Sequence, residues 1–119
     1  MNKIMILILV SVIASCSSAA MKEADSLNQK TLYKNWVLSR CLAAIVDDKK
    51  QKKDAFNTAS AYLEVSNLPV EYFLASETLM QQFISLEYQG SISGSFNTKK
   101  CIDLFGSKEL DNLYHELTK

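Results

Sequence analysis

The sequence predicts an all-α protein, a small four- to five-helix bundle stapled by one disulfide, behind an N-terminal export leader. Apolar residues recur at helical spacing through most of the chain behind the leader. Only three glycines and one proline interrupt that spacing, and they cluster where the periodic segments end. We therefore expect residues 1–20 to form a signal peptide and residues 21–119 a single helical domain.

The leader has a positive start at Lys3 and an apolar run over residues 4–13 that is too short to span a bilayer. Two processing points stay open. Small residues before position 21 favour cleavage after Ala20, whereas the residues ending in Cys16 form a lipobox, which would make 1–15 the leader and Cys16 a lipidation site. Both routes lead out of the cytoplasm, and we expect the periplasm, with membrane attachment only if Cys16 is lipidated.

Charge gives no indication of a nucleic-acid or anionic-lipid partner. Lysine and arginine number 13, aspartate and glutamate also number 13, and the formal net charge is zero. Recognition of a partner must therefore depend on shape rather than on bulk electrostatics.

Cys41 and Cys101 are the two cysteines behind the leader. In an oxidising compartment they predict a disulfide, and on the chain-entropy model a bond closing about 61 residues contributes ~4 kcal/mol. The alternative, a nucleophile or metal ligand, has less support because no Cys-x-x-Cys pair is present and His115 is the single histidine.

The first two helices are predicted over residues 31–47 and 53–65. In the first, Leu32, Trp36 and Cys41 begin an apolar stripe at helical spacing. The lysine-rich run 47–54 between the two helices is typical of a solvated connection or a frayed helix end.

The third helix is predicted to start at Pro69, which suits a first helical turn, and to reach residue 88. Its apolar set is wider than one core stripe needs. Phe73, Leu74 and Phe83 are therefore candidates for a dimer face, although core packing explains them equally well.

Residues 89–95 form the one stretch rich in glycine and serine, and they predict a loop. It is either a plain connection or a projecting plug that enters a cleft of a partner. The candidate partner-binding residues are Gly90, Ser91, Ile92, Ser93, Gly94 and Ser95.

The C-terminal part predicts two short helices. Asn97 or Thr98 is expected to cap the first, Gly106 to end it, and Ser107 to cap the second. A disulfide from the first helix to the fourth would bring Arg40 near Asp103, and we hypothesise an ion pair between them.

Motifs of catalysis are missing from the sequence. It contains no His-Glu-x-x-His, no glycine-rich phosphate loop and no nucleophile with a base at a recognisable spacing. We predict no catalytic residue, no metal and no cofactor. An enzyme that uses Cys41 or Cys101 with His115 remains as a minor alternative.

Two stretches of the chain resemble the signatures of a known family. They are YKNWVLSRCLA at residues 33–43 and FNTKKCIDLF at residues 96–105, and the likeness continues in YQGS at 88–91 and SKEL at 107–110. In this order they are similar to the type VI secretion amidase immunity proteins, the group paired with class 4 amidase effectors.

The resemblance implies a periplasmic antitoxin, commonly a homodimer, that binds a cognate papain-like cysteine amidase acting on peptidoglycan. It also implies inhibition by occlusion of the catalytic cleft, which would give the loop at 90–95, with Ile92 as its apolar anchor, the role of a plug. The remaining alternative is an envelope lipoprotein with a structural or assembly role and no amidase partner.

Overall fold

The computed structural model describes the backbone of residues 17–119 and the side chains of residues 28–119, and within that part it contains five helices and no strand. The helices are α1 (Ser17–Ile45), α2 (Lys49–Glu64), α3 (Val70–Ile84), α4 (Asn97–Phe105) and α5 (Lys108–Leu117). The all-α prediction is confirmed. Cys16 lies outside the described residues, so its lipidation and the two processing points stay predictions.

Helix α1 organises the bundle because it contacts each of the other four helices. Its early part holds the α2–α3 connection, where Gln29 Oε1 accepts hydrogen bonds from Ser66 Oγ at 2.9 Å and from the Asn67 amide at 2.8 Å. Its later part faces α4 through Cys41. The α2–α3 connection and the α3–α4 connection consequently lie at opposite ends of the bundle. Among the described residues no helix is long and apolar enough to cross a membrane.

An aromatic cluster forms the centre of the core. The Tyr33 ring lies 5.4 Å from the Phe73 ring and 5.3 Å from the Tyr114 ring, and Trp36 meets Phe73 edge-on at 5.2 Å. These distances are those of favourable aromatic pairs. The cluster joins α1, α3 and α5 at one point.

The Tyr33 hydroxyl is a buried polar group within this apolar core. Burial raises the pKa of Tyr33 to about 12, and the nearby Ser76 hydroxyl partly offsets the rise. The Ser76 hydroxyl, however, donates its hydrogen bond to the Phe73 carbonyl at 2.6 Å. No group of the described residues makes a hydrogen bond of good geometry with Tyr33 Oη. The phenol is therefore neutral and unsatisfied.

The disulfide prediction is confirmed. Cys41 on α1 and Cys101 on α4 are bonded, with their Cα atoms 5.6 Å apart, and both residues are fully buried. The bond ties the short helix α4 to the central helix across 60 positions of sequence.

Four predicted helix boundaries are wrong. Helix α1 starts at Ser17 rather than at residue 31, so it includes a polar stretch that has no apolar stripe to predict it. Helix α2 starts at Lys49 inside the lysine run, because Asp48 caps it by accepting the Gln51 amide at 2.8 Å. Helix α3 ends at Ile84 rather than at residue 88. Helix α4 has neither Asn97 nor Thr98 as its cap, since the N-cap position is Phe96 and it makes no side-chain bond. The predictions for Gly106 and Ser107 are confirmed, and Ser107 Oγ accepts the Leu110 amide at 3.1 Å.

The predicted Arg40–Asp103 ion pair is also wrong. Arg40 Nη2 lies 2.6 Å from Glu77 Oε1 on α3, and the Arg40 guanidinium covers the Phe56 ring at 4.8 Å. Asp103 is two positions beyond Cys101, and two helical steps rotate it about 200° away from the disulfide. The carboxylate therefore points away from α1.

For two of the three α3 residues considered for a dimer face, the alternative of core packing is confirmed. Phe73 is fully buried in the core and Phe83 is half-buried against it, so neither presents an open surface. Leu74 is exposed.

Candidate partner-binding loop

The loop between α3 and α4 presents the candidate residues to solvent. All six predicted partner-binding residues, 90 to 95, are exposed, and Ile92 is 76% exposed, more than any other large apolar side chain with a described environment. A methyl group built on Gly94 would meet no atom within 4 Å, so the far side of the loop is open. We call residues 89–95 the projecting loop.

Lys100 fixes the segment that leads into the loop. Its side chain is buried along α4, and its Nζ donates to the Ile84 carbonyl, the last of α3, at 2.9 Å. A cation at the carbonyl end of a helix is favourable because that end carries the negative part of the helix dipole. The contact joins the end of α3 to α4.

Tyr88 fixes the near end of the projecting loop. Its hydroxyl donates to Asp103 Oδ2 at 2.6 Å, and Lys99 Nζ donates to the same oxygen at 2.6 Å while lying 4.7 Å from the centre of the Tyr88 ring. The hydrogen bond from Lys99, followed by that from Tyr88, lowers the pKa of Asp103. The bond to Asp103 in turn raises the pKa of Tyr88, so at neutral pH a charged acceptor faces a neutral donor.

Phe96 fixes the far end. It has φ 55° and ψ 33°, the left-handed conformation, and it is the only residue other than glycine with positive φ in the described backbone. A Cβ atom on Gly90 would lie 3.1 Å from Phe96 Cζ, closer than side chains normally approach. The ring therefore packs directly on the Gly90 backbone, and position 90 has room for glycine alone unless the ring moves.

The exposed residues of the loop were predictable from the sequence, whereas these anchors were not. Lys99, Lys100 and Asp103 lie within one turn of α4, but only the packing of α3 beside α4 brings them to the loop. The one available signal was the position of Tyr88 and Phe96 directly outside the glycine- and serine-rich stretch, where two aromatic side chains frame an otherwise small and polar run.

The cysteine–histidine alternative has no free nucleophile, because both sulfurs belong to the disulfide. His115 lies near the end of α5 with its ring 6.1 Å from that of Tyr114. Within residues 28–119 no group of three or more histidine, cysteine or acidic side chains is arranged to hold a metal ion.

The family model and three solved structures that this chain resembles all belong to one group of proteins. Residues 31–114 match the family model of the type VI secretion system amidase immunity proteins, Tai4. The chain is similar to a solved structure of the Tae4/Tai4 effector–immunity system from Salmonella typhimurium, with a TM-score of 0.69 and 45% identity over 73% of this chain and 86% of that chain. A comparison with curated proteins gave no significant match.

Two further solved structures that resemble this chain are also of Tae4–Tai4 complexes. The Tae4–Tai4 complex from Enterobacter cloacae gives a TM-score of 0.66 at 33% identity and covers 71% of this chain and 87% of that chain. A complex of the Salmonella typhimurium effector Tae4 with the Enterobacter cloacae immunity protein Tai4 gives 0.67 at 31% identity and covers 75% and 92%.

Proposed function

Because the chain belongs to the family of type VI secretion system amidase immunity proteins, we propose that it inhibits a Tae4-type amidase by placing residues 90–95 in the active-site cleft. The chain is an immunity protein and not an enzyme. The observation that carries the proposal is the projecting loop itself, which presents a single apolar side chain, Ile92, at the end of a rigid bundle.

The composition of the loop suits entry into a cleft. Glycine and serine side chains are small, so the backbone can approach the walls of a narrow site where larger residues would clash. Ile92 provides the apolar area, and an apolar anchor buried at the centre of an interface typically carries a large share of the binding free energy.

Occlusion would explain inhibition without any chemistry from this chain. A papain-like amidase needs its cysteine nucleophile and histidine base open to the peptide that it cuts. A loop seated over those two residues would exclude the peptide stem of peptidoglycan. Cys41 and Cys101 are bonded to each other, so neither is a free thiol.

The proposal includes a periplasmic location and a homodimer. The leader predicted from the sequence supports the location, since an amidase that attacks the cell wall acts in that compartment. For the dimer, Leu74 on α3 offers exposed apolar surface, because its side chain is 54% accessible.

Lipidation at Cys16 would add a membrane anchor. Incorporation of radiolabelled palmitate in cells, with Cys16→Ser as the control, tests whether Cys16 is lipidated.

The test of the loop is the affinity for a purified Tae4 effector, measured by isothermal titration calorimetry. Loss of a buried anchor of ~2 kcal/mol predicts that Ile92→Ala weakens binding about 30-fold. Val65→Ala is the matched control, because Val65 is also apolar and 62% exposed but lies at the opposite end of the bundle. Equal affinity of Ile92→Ala and the unmodified protein would refute the placement of the loop in the interface.

A further inference from the structure

We propose that Lys99, Lys100 and Asp103 on α4, with Phe96 before it, are positioning residues that hold the projecting loop in its binding conformation before a partner arrives. This inference rests on the proposed function, since it concerns how the same loop recognises the effector. These residues need not touch the partner, but they would determine how fast the partner is bound.

The projecting loop has no internal support. In the described structure, residues 89–95 make neither a backbone nor a side-chain hydrogen bond, and their side chains are exposed. A free segment of this length would sample many conformations, and ordering it on binding costs conformational entropy at each residue. Its shape must therefore come from the residues on either side.

Those residues are all held by one helix. Lys100 bonds the end of α3, Asp103 and Lys99 bond Tyr88, and Phe96 precedes the first residue of α4. Lys99 and Asp103 are four positions apart and so share one face of α4, where they meet Tyr88. Lys100 is the next residue around the helix, and its stem is buried as it reaches α3.

The helix that carries these anchors is itself fixed. Cys101 lies between Lys100 and Asp103 and is bonded to Cys41 in the core, and Leu104 is fully buried. The anchors therefore stand on an element that cannot shift without breaking the disulfide or the core. This arrangement provides a preformed loop, and preformed loops bind better because less conformational freedom is lost.

Tyr88→Phe tests the inference with a minimal change, since it removes one hydroxyl and keeps the ring. The association and dissociation rate constants with a Tae4 effector are measured by surface plasmon resonance, and amide hydrogen exchange of residues 89–95 is measured in the free protein. Loss of one net hydrogen bond predicts slower association, by up to about tenfold, since fewer molecules hold the competent conformation. Dissociation should stay within about twofold, and the loop amides should exchange faster.

Two further variants sharpen the test. Asp103→Ala should slow association at least as much, and adding Tyr88→Phe to it should cause little further change, because the acceptor of the Tyr88 hydroxyl is then already gone. Gly90→Ala should act in the same direction by displacing the Phe96 ring. Tyr62→Phe, the same substitution on α2, is the matched control and should change neither association nor exchange.

The outcomes separate this inference from the proposed function. If Ile92→Ala weakens binding while Tyr88→Phe changes neither association nor loop exchange, the positioning role is refuted and the function stands. If Tyr88→Phe only speeds dissociation, Tyr88 contacts the effector directly and the positioning role is again refuted. If no Tae4 effector binds, the proposed function fails, while faster exchange in Tyr88→Phe would still support the anchoring of the loop.

Discussion

Removal of the disulfide is predicted to destabilise the domain severely. The perturbation is Cys41→Ala combined with Cys101→Ala, which avoids leaving one free thiol. The bond joins positions 60 apart, and closing a loop of about 61 residues lowers the entropy of the unfolded chain by an amount worth ~4 kcal/mol. Since a small domain has only ~5–15 kcal/mol of total stability, this is a large fraction.

This loss of free energy corresponds to a shift in melting temperature. In a domain of this size each kcal/mol shifts the midpoint by ~4–8 °C, so the double variant should melt about 15–30 °C lower. Thermal unfolding followed by circular dichroism measures the shift, and urea titration gives the free energy of unfolding directly. Unmodified protein in reductant should unfold like the variant.

A loss of less than about 1 kcal/mol in the free energy of unfolding of the double variant would refute this prediction. Such a result would mean that the unfolded chain is not appreciably constrained by the bond, or that strain in the folded protein offsets the constraint. In either case the packing of α4 in the core, rather than the disulfide, would be what mainly keeps this helix in place beneath the loop.

Three further sets of substitutions have defined outcomes. Tyr33→Phe should leave the free energy of unfolding unchanged or raise it by up to ~1 kcal/mol, because the buried hydroxyl has no partner in the described structure, and a loss in urea titration would contradict this. A double-mutant cycle should find coupling of ~0.5–1 kcal/mol between Arg40 and Glu77, discounted for their partial exposure, and none between Arg40 and Asp103. The hydrogen bond from Lys34, with smaller contributions from Lys30, lowers the pKa of Asp111. The ionised Asp111 carboxylate therefore stabilises the folded protein above the ordinary carboxyl pKa, and this stabilisation is lost as pH falls through the lowered pKa. Asp111→Asn should therefore be less stable than the unmodified protein at pH 7 and equally stable in strong acid, as acid-unfolding curves would show.

Local signals in the sequence predicted the fold well. Helical periodicity located all five helices but missed residues 17–30 of α1, where no apolar stripe marks the helix. Gly106 and Ser107 marked the α4–α5 junction correctly because caps and terminators act within a few residues. The start of α2 was missed because the lysines around Asp48 suggested solvated coil, although Asp48 is itself a good cap. Arg40 was paired wrongly because proximity to a disulfide does not determine the direction of a side chain on its helix.

The site was predictable only in part, for a related reason. Small residues and an isolated Ile92 are local features and indicate an exposed loop. The anchors are not local: Tyr88 meets Asp103 across 15 positions and Lys100 meets Ile84 across 16. Which residues of α4 face the loop depends on how α3 and α4 pack, and a single sequence does not reveal that.

The central claim, that this chain blocks an amidase by covering its active site, is tested most directly by inhibition kinetics. Hydrolysis of a soluble peptidoglycan fragment by a purified Tae4 effector is measured at several substrate concentrations while the unmodified immunity protein is titrated in. Occlusion predicts that activity falls to background at molar excess and that added substrate competes with the inhibitor. Binding that leaves hydrolysis intact, or inhibition that substrate cannot relieve, would contradict it.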